Sequence, residues 1–316
     1  MPKVSVIVPV YGVEKYIERC ARSLFEQTLD DIEYLFIDDC TPDRSIEILQ
    51  QVLEEYPQRN PQVTIHRMEK NSGQAAVRKW GMQNATGEYV IHCDSDDWVD
   101  TDMYRAMYEK AKEDEADVVV CDYFVHDGEK TIKVTSGCRT SEKRKFIHRL
   151  LLQVEPWSLW NKLFKRDVCL KGLYYPKGNM GEDLALTAQM ALKCQIVRFI
   201  EKPYYYYFYN RDSITNTITV ETALRKYNSV RENSEIVIKT YRDWKGFKTC
   251  LLYVKYNVVT LLFPVFHIKK YRTICFEDNP HLLKEVLLDF SFPVKHKIIF
   301  LAAYFGFYPH KIKNNV

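Results

Sequence analysis

The sequence predicts an α/β protein, a mostly parallel sheet flanked by helices and followed by a helical C-terminal region. Three observations carry this. Short β-branched apolar runs alternate with helix-length segments as far as residue 124, acidic residues gather at the carboxyl ends of those runs, and from about Glu221 the apolar spacing is helical. Strands separated by helices of this length imply βαβ units.

Taken in order, residues 4–10 (VSVIVPV) read as a buried strand closed by Pro9 and Gly12. Residues 14–27 have helical spacing, with Tyr16, Ile17, Cys20, Leu24 and Phe25 on one side. A second strand, 32–37, runs into Asp38 and Asp39. Thr41 and Pro42 then suit an N-cap and first helical position for a helix reaching about Tyr56. Strand 63–66, helix 73–83 and strand 89–93 follow, the last ending in Asp94, Ser95, Asp96 and Asp97. Helix 102–114 and strand 118–124 complete the regular half. Beyond it the spacing predicts helices over 141–152 and from Glu182 to about Lys193, and strands over 196–200 and 204–209.

Composition narrows the function. With 316 residues and 46% hydrophobic content the chain buries a real core, which excludes disorder. A net charge of +3, from 45 basic and 42 acidic residues, gives no basis for a nucleic-acid partner. The nine cysteines contain no C-x-x-C pair, so no zinc site is expected. Their odd number, with no secretory leader, reads as reduced thiols in a cytoplasmic protein. No apolar run is long enough to predict a spanning helix.

Ligands of parallel sheets bind at the carboxyl ends of the strands. Asp38, Asp39, Asp94, Asp96 and Asp97 would converge there and repel one another, and a bound cation relieves that repulsion most simply. The alternative is an acidic surface turn capping the helix near Asp102. The segments VSVIVPVYGVEKYIERCARSLFEQTLDDIEYLFIDDCTPD and NSGQAAVRKWGMQNATGEYVIHCDSDDW resemble the family 2 glycosyltransferases over about residues 1–215. That resemblance implies the GT-A (Rossmann-like) fold and an inverting transfer from a nucleotide sugar, uridine diphosphate by family habit, with manganese or magnesium. Pro9, Val10 and Tyr11 would line the nucleoside pocket, Tyr11 stacking on the base, with Glu14 behind them or simply in a first helical turn. Asp38 would accept from the base, and Asp39 would serve the turn. Arg78 would contact base or diphosphate, unless it is a surface helix residue. Asp94 and Ser95 would hold the ribose side, Asp96 the metal, and Asp97 would stand behind it. Cys40 and Thr41 occupy places where the family more often has Gly-Ser.

Glu182 and Asp183 look like the family's catalytic-base pair, Asp183 taking the acceptor proton and Glu182 beside it; ordinary N-capping is the bland alternative. Arg211 would reach the diphosphate or form a structural ion pair. The tyrosines 204–207 read as strand packing. Trp157, Trp160, Asn161 and Lys162 either shape the acceptor side or are core, and His66, His92 and His126 are structural. Two apolar stretches with basic neighbours, 251–266 and 298–308, leave three uses open for region 216–316: peripheral membrane contact, packing on the catalytic domain, or a homodimer. A glycan or lipid-linked acceptor in bacterial surface polysaccharide synthesis is the implied setting. Without spanning helices or a Q-x-x-R-W motif, one sugar per binding event is expected. A nicotinamide dehydrogenase lacks its Gly-rich turn here. The remaining alternatives are a non-catalytic sugar-nucleotide-binding protein and a carboxylate-dependent hydrolase or phosphatase.

Overall fold

The computed structural model describes residues 1–136, 140–209 and 219–307. Its parallel half follows the sequence closely: β1 (Val4–Val10), α1 (Ile17–Phe25), β2 (Ile32–Asp38), α2 (Ser45–Glu54), β3 (Val63–Arg67), α3 (Gln74–Asn84) and β4 (Tyr89–His92). Next come β5 (Trp98–Val99), α4 (Met103–Glu113), β6 (Val118–His126) and β7 (Thr131–Val134). The second half holds α5 (Lys143–Leu151), β8 (Lys162–Lys165), α6 (Arg166–Cys169), α7 (Glu182–Lys193) and β9 (Val197–Phe208). The chain then continues as α8 (Val220–Tyr241), α9 (Lys248–Thr260), α10 (Lys269–Asp278), α11 (Leu282–Leu288) and α12 (Val294–Tyr304).

The described strands form one sheet ordered β3-β2-β1-β4-β8-β6-β9-β5, with β7 on β6. β3, β2, β1 and β4 are parallel neighbours, and Val10 of β1 lies opposite Asp38 of β2. The two-residue period of a strand splits β1 between two layers. Val4, Val6, Val8 and Val10 pack with α1, α2 and α4, whereas Ile7 packs with α3 and the layer of α5, α7, α8 and α9.

The structure corrects several expected boundaries. The first helix starts at Ile17 rather than Glu14, because the amides of Tyr16 and Ile17 both turn back to the Val13 carbonyl. The second starts at Ser45, not after Thr41. The Asp43 carboxylate accepts from the Ser45 amide and hydroxyl, the Thr41 hydroxyl and the Glu14 amide, so it organises the turn that Thr41 was expected to cap. The two strands expected over 196–209 are the single strand β9, with an irregularity at Pro203, which cannot donate to the ladder. β8 went unforeseen. It is four residues long with a lysine at each end, and Lys162 is fully buried only because Glu155 pairs with it at 3.1 Å.

The apolar stretch 251–266 is mostly interior. Leu252, Val254, Tyr256, Val258, Val259, Leu262, Phe263, Val265 and Phe266 are buried. Many of them join Phe300 and Ala303 of α12 in a separate helical core. No helix among the described residues is long and apolar enough to cross a membrane.

Candidate active site

Three parallel strands, β2, β1 and β4, deliver the candidate residues to one edge of the sheet, as the strand-end rule requires. At the end of β1, Pro9 and Val10 lead to Tyr11, which is 52% exposed, and to Gly12 in the left-handed region at φ 69°. The Gly12 amide donates to the Thr41 hydroxyl at 2.8 Å, joining this turn to the one after β2. Glu14 belongs to the same junction, accepting from the Arg44 amide at 3.2 Å. Asp38 is buried; it accepts from the Thr41 amide at 2.7 Å and faces Arg67 at 3.5 Å. Asp39 serves a turn, accepting from the amides of Ser72 and Gly73 at 2.7 and 2.8 Å just ahead of α3. Cys40 sits at φ 57°, a conformation that favours glycine, which gives the Cys-for-Gly departure at this position a physical cost.

The turn after β4 carries the acids. Asp94 and Asp96 are half-buried, while Ser95 and Asp97 are buried. Tyr205 of β9 clasps this turn: its hydroxyl donates to Asp97 at 2.6 Å and accepts from the Asp94 amide at 3.0 Å. The Phe208 amide also donates to Asp97, at 2.6 Å. Arg19 donates to the Asp96 carbonyl at 2.9 Å and lies over the Trp98 ring. Burial, and then the nearby Asp94 charge, push Asp96 up to about 6. Burial with Asp96 and Asp94 pushes Asp97 well above the carboxylate range.

Arg78 ties this turn to the Glu-Asp pair. It is 1% exposed, so it is neither the surface arginine nor an open cation. One guanidinium nitrogen meets Asp94 at 2.9 Å, and Nε faces Asp183 at 3.4 Å and Glu182 at 3.7 Å. Burial alone would lower the Arg78 pKa, but Asp183, Asp94 and Glu182 together raise it. His92 completes the cluster through Nδ1, 3.1 Å from Arg78, and burial followed by the Arg78 charge holds it neutral.

Glu182 and Asp183 open α7 behind Gly181, which is left-handed at φ 76°. Glu182 is buried, and burial plus the Asp183 charge lift it to about 8. Asp183, about a quarter exposed, is also raised by burial, with Arg78 pulling the other way. Behind the pair, Asn233 of α8 donates to the carbonyls of Gly178 and Met180, fixing the loop that leads into α7. Beside the pair lies a cavity of about 270 Å³, lined by Trp157, Glu182, Asp183, Val230, Asn257 and Leu261 among others. A larger cavity of about 720 Å³, near Met82, Arg166 and Tyr175, contains none of the site carboxylates.

The structure therefore gathers Asp94, Glu182 and Asp183 around the Arg78 guanidinium, and places Pro9 and Val10 at the end of β1, Asp38 at the end of β2, and Tyr11 and Glu14 on the turn after β1. Arg211 lies outside the described residues. Lys162 and Asn161 are interior, Lys162 donating to the carbonyls of Pro156 and Ser158 and to Asn161. Trp160 stacks on Tyr205. Sequence reasoning missed Tyr205, one of four consecutive tyrosines with nothing to distinguish it, and Asn233, whose partners lie over fifty residues away. No group of three or more His, Cys, Asp or Glu suited to holding a metal by itself occurs among the described residues. Two half-buried carboxylates on one turn, Asp94 and Asp96, supply the hard oxygen donors that a divalent cation prefers.

Comparison with known proteins gives a consistent picture. The family model described as "Glycosyl transferase family 2" matches residues 5–169. The chain is 30% identical over 227 residues to the uncharacterized glycosyltransferase EpsJ of Bacillus subtilis, covering 68% of this chain and 63% of that one. It thus spans less than two thirds of that relative's length. Among solved structures it is similar to S. aureus TarS 1–349 in complex with UDP-GlcNAc, with TM-score 0.60 and 18% identity over 96% of this chain and 89% of that one. It is also similar to a mannosyltransferase from Pyrobaculum calidifontis in complex with GDP-Man and Mn2+, with TM-score 0.55 and 18% identity over 98% and 81%. At these identities the structural likeness speaks for the fold.

Proposed function

The chain belongs to glycosyl transferase family 2, and from that premise we propose that it moves one sugar from a nucleoside diphosphate donor to an acceptor hydroxyl, with Asp183 as the base. The observation that carries this reading is the Arg78 bridge, which couples the donor-side Asp94 to Asp183 through one buried cation. Pro9, Val10, Tyr11 and Asp38 bind the nucleoside, with Glu14 bracing their turn, and Asp94 and Ser95 hold the ribose side. Arg78 acts here as a positioning residue, since its guanidinium is committed to the carboxylates.

In the step itself the acceptor oxygen attacks the anomeric carbon from the face opposite the diphosphate. The bond from that carbon to the phosphate oxygen breaks, and its electron pair leaves with the nucleoside diphosphate. The acceptor proton passes to the Asp183 carboxylate, and the configuration inverts. Asp183 must be ionised for this. Burial and the Asp183 charge lift Glu182 to about 8, whereas Arg78 opposes the rise at Asp183, which favours placing the pair's negative charge on Asp183 beside Arg78 and the α7 N-terminus. Glu182 also borders the cavity where the acceptor would enter. A divalent cation, manganese or magnesium, would be held by Asp96 with Asp94 and would supply charge stabilisation to the departing diphosphate.

Uridine diphosphate is the first donor nucleotide to test, supported by the UDP-GlcNAc seen in the TarS structure, and guanosine diphosphate is the second, by the GDP-Man of the mannosyltransferase. The catalytic domain comprises residues 1–215 and the helical region 216–316. A single addition per encounter on a glycan or lipid-linked acceptor, on the cytoplasmic side in bacterial surface polysaccharide synthesis, is the setting this reading favours. The test is turnover of a nucleotide-sugar panel, followed by release of nucleoside diphosphate. Asp183→Asn should lower kcat by about 10²–10⁴-fold while leaving donor Kd unchanged; an Asp183→Asn enzyme with wild-type kcat overturns the assignment.

A further inference from the structure

We propose that the outer face of α11 and α12 docks on an anionic bilayer surface. More than half of the large apolar side chains exposed among the described residues fall between Leu287 and Phe307. On α12 and its C-terminal end, Val294, Ile298, Leu301 and Phe305 are exposed at 70%, 63%, 39% and 61%. Their spacing of four, three and four residues puts them on one stripe of the helix. Phe300 and Ala303, on the opposite side of α12, are buried in the helical core, so the stripe is surplus to folding. Beside it, Leu288 and a fully exposed Phe290 extend the patch. Lys297 Nζ donates to the Leu287 carbonyl at 3.1 Å, which holds the end of α11 against α12 and makes the surface continuous.

Charge selects the occupant. α12 (VKHKIIFLAAY) contains no acidic residue. Its two lysines bracket the stripe: at 100° per residue Lys295 falls on one flank and Lys297 on the other. That is the arrangement of a helix lying in a bilayer interface, with its apolar side chains among the acyl chains and its lysine stems reaching up to anionic headgroups. Exposed Lys284 of α11 adds to the same sign. Of the acids on α11 and the turn after it, Asp289 is occupied, accepting from the Thr249 hydroxyl and the Ser291 amide, and Glu285 is exposed; at the end of α10, Glu277 is exposed and Asp278 pairs with Arg231. The helix lies along the surface; it is too short to cross. This inference stands independently of the transferase reading.

The test is co-sedimentation of the full chain with phosphatidylcholine vesicles, with and without phosphatidylglycerol, alongside light scattering for oligomeric state. Wild type should partition onto the phosphatidylglycerol vesicles and lose that binding in high salt. Phe290→Ser with Ile298→Ser should weaken partition at least about tenfold, and Lys295→Gln about fivefold at low salt. Because Phe290, Lys295 and Ile298 are exposed, the thermal midpoint of these variants should stay at its wild-type value, separating lost docking from lost fold. Equal partition of the Phe290/Ile298 variant, indifference to phosphatidylglycerol, or no wild-type partition at all overturns the proposal. So does a wild-type dimer that the same apolar substitutions convert to monomer without any vesicle binding, since the stripe would then be a self-association face.

Discussion

Replacing Arg78 with methionine keeps most of the side-chain volume and deletes the charge, leaving the Asp94 and Asp183 carboxylates facing one another, with Glu182 beside them, without a counter-ion. The wild-type contacts are 2.9, 3.7 and 3.4 Å. At an effective dielectric of about 20 the pairs with Asp94 and Asp183 are each worth roughly 5–6 kcal/mol of attraction before desolvation is subtracted. Breaking a buried ion pair by removing one partner typically costs a net 3–5 kcal/mol. With an unfolding entropy of about 2 cal/mol/K per residue, that loss corresponds to a fall in Tm of roughly 5–8 °C for a chain of this length. The deficit should shrink as pH falls, because carboxylates deprived of the guanidinium take up protons more readily and the repulsion disappears. Scanning calorimetry between neutral pH and mild acid reads both effects. An Arg78→Met chain with wild-type Tm at neutral pH, or a deficit that ignores pH, would refute the claim that one cation neutralises the site.

Two further outcomes follow from the same cluster. The folded-state pKa of Glu182 is raised to about 8 from the usual 4.5, so its contribution to stability is present below 4.5 and fades as pH climbs toward 8. Glu182→Gln should therefore flatten the decline in Tm across that window, and an unchanged slope contradicts the assignment. Tyr205→Phe removes the hydroxyl shared by Asp97 and the Asp94 amide. Leaving the Asp94 amide and one Asp97 oxygen without that partner, with the Phe208 amide still donating to the other, should cost about 1–3 kcal/mol in chemical denaturation and weaken metal-dependent donor binding, whereas an unaltered midpoint would show that the clasp is idle.

The parallel half of the fold was legible because its signals are local. The alternation in β1 and the apolar and aromatic content of β2 follow from side-chain period and burial, and both strands fall where the sequence put them, with one residue added at the end of β2. Where tertiary partners decide, the sequence was mute. β8 is a strand because β4 and β6 flank it and because Glu155 neutralises Lys162. The start of α2 depends on Asp43 reaching across to Glu14, and the unity of β9 on its long pairing with β6. The candidate site divides the same way. Asp94, Asp96 and Asp183 stand out by motif, but the burial of Arg78 between Asp94 and Asp183 does not, since a helix arginine in sequence looks solvated. Of the two apolar C-terminal stretches, nothing in composition distinguished 251–266, which the fold buries, from the stripe of α12, which it leaves outside.

The measurement that bears most directly on the central claim is a calorimetric titration of uridine diphosphate, with and without manganese, against the wild-type chain and Asp96→Ala. The account predicts manganese-dependent binding that the substitution abolishes, with the substituted chain retaining its fold by circular dichroism. Absence of binding by uridine, guanosine and thymidine diphosphates alike, with or without manganese, would contradict it.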